Sequence, residues 1–113
     1  DYSDHLGQVY LKSMEYELAV KAFKRALSLN PGYEQAKIHL AQAYIGSRHF
    51  EEARRLLTEL VEAHPAYADL QNKLGEVYMA MTNYKKAQEH FQKALSINPK
   101  FHEAEKNLRL LST

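Results

Sequence analysis

Apolar residues return every three or four positions along the start of the chain, with one interruption. Tyr2, Leu6, Val9 and Tyr10 form one stripe of a first predicted helix, Tyr2 to Lys12. Ser13, Met14 and Glu15 leave room only for a tight turn. Tyr16, Ala19, Val20, Phe23, Ala26 and Leu27 then resume the helical spacing. This second helix must stop near Leu29, because Asn30 precedes Pro31 and a residue before proline is pushed out of the helical region. Gly32 completes the break. The pattern predicts two antiparallel helices of about 12–14 residues joined by a short turn.

The same pattern recurs twice more at a fixed period of 34 residues. Leu6, Gly7, Tyr10, Ala19, Phe23, Ala26 and Pro31 are matched by Leu40, Ala41, Tyr44, Ala53, Leu57, Leu60 and Pro65. They are matched again by Leu74, Gly75, Tyr78, Ala87, Phe91, Ala94 and Pro99, and the chain has no other proline. A constant period of this length marks an array of stacked repeats. The predicted units are 1–33, 34–67 and 68–101, followed by a capping helix over 102–113 whose apolar side carries Phe101, Ala104, Leu108 and Leu111. Asn83 is placed to cap the sixth helix.

Two features of the pattern are packing statements. Gly costs about 1 kcal/mol relative to Ala inside a helix, so Gly7 and Gly75 need a cause. Ala41 at the equivalent place excludes a requirement for positive φ and leaves a requirement for small size, where two helices nearly touch. Ala19, Ala53 and Ala87 are expected to face them from the second helices. In the middle unit Leu57 and Leu60 replace a Phe and Ala pair, which roughly conserves volume.

The motif Leu-Gly-x-x-Tyr on one helix, Ala-x-x-x-Phe-x-x-Ala on the next and a closing Pro resembles the tetratricopeptide repeat (TPR) family over the whole chain. One departure is plain: the family's frequent Trp near the start of the first helix is replaced by Ser3, Lys37 and Gln71. The resemblance implies an all-α fold, a right-handed superhelical solenoid of three antiparallel helix pairs plus a capping helix. It also implies that the first helices line a concave groove holding an extended peptide or a partner helix. Carried over position by position, the groove would present Asp4, His5, Gln8, Leu11 and Lys12 from the first unit, and Gln35, Ile38, His39, Gln42 and Ile45 from the second. Asp69, Asn72, Lys73, Glu76 and Met79 would come from the third, with Lys106 and Asn107 added by the cap. Amides at Gln8, Gln42 and Asn72 can pair with a peptide backbone, having both donors and an acceptor. A TPR subgroup that grips the C-terminal carboxylate of chaperone tails carries Lys and Asn, then Asn, then Lys and Arg at five places. Here those places hold Asp4, Gln8, His39, Asp69 and Lys73, so a chaperone-tail clamp is not expected.

Composition narrows the remaining classes. The formal net charge is +1, which disfavours a nucleic-acid or anionic-membrane surface. The basic doublets Lys24-Arg25, Arg54-Arg55 and Lys85-Lys86 fall one per second helix, the middle one among Glu51, Glu52 and Glu59. The aromatics keep strict repeat register, as seam packing does. No apolar run is long enough to span a membrane. The chain has no cysteine, which excludes disulfides and thiolate metal sites. His5 and His39 with Asp4 lack the four-residue spacing that puts two ligands on one helix face, so no metal or cofactor is expected. No nucleophile–base constellation or phosphate-binding loop is present, and the expected protein is not an enzyme. The expected role is a protein-interaction module for a protein or peptide ligand. The alternative is a structural element acting as a homodimer or against flanking domains, through Leu108, Leu110 and Leu111. Asp1 in place of an initiator methionine suggests a fragment or a processed chain with flanking domains.

Overall fold

The computed structural model describes residues 2–112 and forms seven α-helices over them, with no strand. They are α1 (Tyr2–Lys12), α2 (Tyr16–Leu29), α3 (Glu34–Gly46), α4 (Phe50–Ala63), α5 (Ala68–Ala80), α6 (Tyr84–Ile97) and α7 (His102–Ser112). The chain divides into two compact units, Asp1–Leu56 and Leu57–Thr113, with the boundary inside α4. In the first, α1 packs on α2 and α2 on α3, and α1 also touches α3. In the second, α5 packs on α6 and α6 on α7, and α5 also touches α7.

The turn inside each helix pair is built the same way three times. The Glu15 N–H donates to the Tyr10 carbonyl at 2.9 Å and the Met14 N–H to the Leu11 carbonyl at 3.1 Å. The same two bonds recur from His49 and Arg48, and from Asn83 and Thr82. This is the Schellman arrangement, whose penultimate residue sits in the left-handed region. Met14, Arg48 and Thr82 occupy it with φ of 60°, 65° and 62°. None is glycine, so the turns at Met14 and Thr82 are held against a local backbone cost by the packing of α1 on α2 and of α5 on α6. At the other end of each pair the break before proline closes with a single turn bond: Tyr33 to Asn30, Tyr67 to His64 and Phe101 to Asn98. The Asn83 side chain accepts from the Lys86 N–H at 3.4 Å, the expected N-cap of α6.

Each unit has its own apolar core. In the first, Ala19, Phe23, Leu40 and Ala43 are buried together, with Tyr10, Leu11, Val20, Leu27, Tyr44 and Leu56 packed around them. In the second, Phe91, Leu57, Leu60, Leu70, Leu74 and Val77 are the large buried side chains. The demand for a small residue on the first helix has a specific source. A Cβ built on Gly7 would lie 2.5 Å from Cε1 of Phe23, and one on Gly75 would lie 2.6 Å from Cε1 of Phe91. No glycine has positive φ, so size alone is required. The partner is the Phe ring rather than the expected Ala19 or Ala87.

The places where the family often has Trp are filled differently in the two units. Ser3 is buried at the head of α1. Gln71 is buried at the head of α5, where its Nε2 donates to the Pro65 carbonyl at 2.9 Å and its Oε1 lies 2.8 Å from His90 Nδ1. Because that oxygen can only accept, His90 carries its proton on Nδ1. The His90 ring stacks on Tyr78 with centroids 5.5 Å apart. Burial, aided by Lys93, lowers its pKa below the ordinary imidazole value. The sequence had offered no reason to single out His90, and a polar bridge from Pro65 to the Tyr78 ring is what it supplies.

α7 keeps the register of a first helix: Leu108 stands where Leu74 does, and Arg109 where Gly75 does. In α7 that place is open. The Arg109 side chain is exposed and pairs with Glu105 at 3.1 Å.

Candidate functional site

The residues expected to face a ligand lie on α1 and α3 in one unit and on α5 in the other. In the first unit, Gln8, Leu11, His39 and Gln42 do come together. With Lys12 they line an open cleft of about 280 Å³ between α1 and α3. Ile38 and Ile45 are half-buried elsewhere on α3, and Gln35 is exposed in its first turn.

The floor of this region is a carboxylate. Asp4 is only 3% exposed, and a buried charge is costly unless hydrogen bonds replace its water. Gln8 Nε2 donates to Asp4 Oδ2 at 2.8 Å and the Tyr33 hydroxyl donates to the same oxygen at 3.3 Å. His39 Nδ1 lies 3.4 Å from Asp4 Oδ1. The His39 ring in turn rests against Phe23, with centroids 5.4 Å apart. The Asp4 charge, with burial and the hydrogen bond adding to it, raises the Tyr33 phenol above its ordinary pKa. Two of the expected contact residues, Gln8 and His39, are therefore oriented from below by Asp4, which was itself expected to face the groove and is buried instead.

In the second unit the expected residues separate. Asn72 is 1% exposed, so its amide is not presented to solvent. Its Oδ1 accepts from Asn107 Nδ2 at 3.2 Å, and the same Nδ2 lies 3.4 Å from Glu76 Oε2. Asn107, placed by sequence on the capping helix as a groove residue, is itself buried and ties α7 to α5. Lys73 Nζ donates to Asp69 Oδ1 at 3.1 Å, so its charge is largely answered within α5. Met79 lines a different cleft of about 430 Å³ with Tyr84, Leu110 and Leu111.

Two of the polar links between first helices span 35 positions, Asp4 to His39 and Asn72 to Asn107. That is one period plus one residue. The signal that could have found them is therefore in the sequence, as polar residues paired at the repeat length plus one.

Burial pushes the Glu76 carboxyl above the ordinary carboxylate range, against the lowering effects of Asn107 and Lys73. A raised folded-state pKa means that the protonated form suits the fold better. The corresponding stability is present in acid and is lost as pH rises through the raised value. Glu76→Gln keeps an oxygen for Asn107 and removes the charge. It is expected to raise the urea midpoint at neutral pH and to leave it unchanged in acid; a lower midpoint at neutral pH would contradict this.

Each basic doublet has at least one member engaged locally. Arg54 and Arg55 both pair with Glu51, Lys24 lies 5.8 Å from the Tyr44 ring centroid, and Lys86 lies 5.5 Å from that of Tyr78. Among the described residues no group of three or more His, Cys, Asp or Glu is gathered for a metal, and no helix is long and apolar enough to cross a membrane.

A family model described as tetratricopeptide repeat matches residues 10–74, more than half of the chain, and a second matches residues 68–101. The chain belongs to the tetratricopeptide repeat family. The sequence matches none of the curated proteins significantly. Solved structures, TPR domains among them, match its fold closely. The first TPR of Spaghetti (RPAP3) bound to the HSP90 peptide SRMEEVD is 21% identical, with a TM-score of 0.89 over 98% of this chain and 88% of that one. The second TPR domain of human RPAP3, in complex with the HSP70 peptide SGPTIEEVD, is 19% identical, with a TM-score of 0.88 over 98% and 92%. MamA from Desulfovibrio magneticus RS-1 is 24% identical, with a TM-score of 0.91 over 96% of this chain and 62% of that one. At these identities the likeness establishes the TPR fold, and function has to be sought in the site.

Proposed function

We propose that this TPR chain is a non-catalytic interaction module that binds a protein or peptide segment on the face formed by α1 and α3. The observation that carries this is the α1/α3 cleft, where Gln8, Leu11, His39 and Gln42 converge although the repeat pattern fixes none of them. Amide, imidazole and alkyl groups side by side suit a peptide, which offers alternating backbone polarity and side chains. The Asp4–His39 pair has the parts of a general base. The cleft beside it is lined by amides, Leu11 and Lys12, with no hydroxyl or thiol to activate. The two RPAP3 structures hold acidic peptides, which supports a peptide-binding role here. The ligand differs in chemistry: Asp4 and Asp69 stand at two places where the chaperone-tail subgroup carries lysine.

Selection of binders from a displayed library of random peptides tests the proposal. Selected peptides should lose at least about tenfold in affinity with His39→Ala combined with Gln42→Ala. They should be unaffected by Arg25→Ala on α2. The reverse pattern would refute the proposal.

A second reading has its own observation. Leu110 is 56% exposed and Tyr84 55% exposed beside Met79 and Leu111, an apolar surface that a second copy or a flanking domain could cover. A shift from dimer to monomer in sedimentation on Leu110→Glu would favour it over the first.

A further inference from the structure

We propose that the α1/α3 cleft takes an arginine side chain of the bound segment, a specificity that rests on the peptide-binding role proposed above. An ionised carboxylate only accepts hydrogen bonds, so every bond to Asp4 fixes the orientation of its partner. Gln8 gives its Nε2 to Asp4, which leaves Oε1 as the free end of that amide. His39 must carry its proton on Nδ1 to bond Asp4, which makes Nε2 of the neutral ring an acceptor. Both residues line the cleft. The cleft therefore offers two acceptors oriented by the same buried anion, with the Gln42 amide on the facing helix. A guanidinium is all donors, with five N–H groups on a planar fork, and can meet two acceptors at once. Leu11 offers an apolar wall for its alkyl stem. Asp4 lies beneath as the complementary charge. Lys12 also lines the cleft, but it is exposed and its flexible stem lets the ammonium turn to water. A terminal carboxylate would meet acceptors and a buried negative charge in the same place.

The test uses the isotope-labelled chain and three acetylated hexapeptides. One is amidated with a central arginine, one has citrulline in its place, and one has alanine there and ends in acidic residues with a free carboxylate. The arginine peptide should shift the side-chain resonances of Gln8, His39 and Gln42 and bind at least about fivefold tighter than either of the others. His39 nitrogen shifts should report the proton on Nδ1 in the wild type. In Asp4→Asn that tautomer preference should weaken and arginine-peptide affinity fall about tenfold. Gln8→Leu, which keeps Asp4, should lower the affinity while leaving the His39 tautomer unchanged. A proton on Nε2 in the wild type, equal or tighter binding of the acidic peptide, or no response to the arginine peptide would overturn the arginine assignment. Acidic segments bound on α1 and α3 would overturn it alone. A partner whose contacts all fall on α2, α4 and α6 would overturn the peptide-binding role beneath it.

Discussion

Truncating Phe91 to alanine is expected to lower the unfolding free energy by about 3–5 kcal/mol, the upper range for a buried aromatic. The Phe91 ring has no exposed surface, so its full apolar area is removed from water on folding. The cost should sit at the high end because the hole cannot close easily. The wall across from the ring is Gly75, which has no side chain to move into the space. On the ring's own helix the neighbouring buried positions are Ala87 and Ala94, equally short. Urea unfolding followed by far-ultraviolet circular dichroism measures the effect. A loss below about 1.5 kcal/mol would mean that the second unit relaxes around the cavity, contrary to the tight contact described.

Gly75→Ala is the complementary change and is also expected to destabilise, by about 1–3 kcal/mol. Helix propensity alone favours alanine by about 1 kcal/mol. The added methyl, however, would fall 2.6 Å from Cε1 and 2.7 Å from Cδ1 of Phe91. A ring with no exposed surface has nowhere to swing, so the overlap should outweigh the propensity gain. The middle repeat suggests the rescue, because its sequence has Ala41 and Leu57 at these two places instead of Gly and Phe. Gly75→Ala combined with Phe91→Leu should therefore cost less than the sum of the two single changes, by about 0.5–3 kcal/mol of coupling. Additive losses would show that the ring is not what excludes a side chain at position 75.

The parts of the fold that could be read from the sequence are those where one packing demand recurs in every repeat. Leu74, Gly75, Tyr78, Ala87, Phe91 and Ala94 answer the same contacts as their counterparts 34 and 68 residues earlier, so the period exposed them. The size requirement at Gly7 and Gly75 was legible for the same reason, although the residue imposing it was not, since ring direction depends on rotamer rather than spacing. The site was less legible. Gln8, Leu11, His39 and Gln42 line one cleft, and their places on the first helices follow from the repeat. Asn72 was expected to offer its amide to a ligand and instead spends it on Asn107. Asp4 and Asn107 are buried polar residues whose role depends on one partner apiece in the next helix. A partner-specific contact of this kind leaves no trace in hydrophobic periodicity. His90 shows the same blindness: its bond to Gln71 matters because Trp is missing from that place, and nothing in the repeat pattern says what fills the gap.

The central claim is that the face formed by α1 and α3 carries the binding function. It is tested most directly by mapping backbone amide shifts when the labelled chain is titrated with a peptide selected from the display library. The account predicts that the largest shifts fall on Gln8, Leu11, His39 and Gln42 of α1 and α3. Shifts confined to α2, α4 and α6 would contradict it.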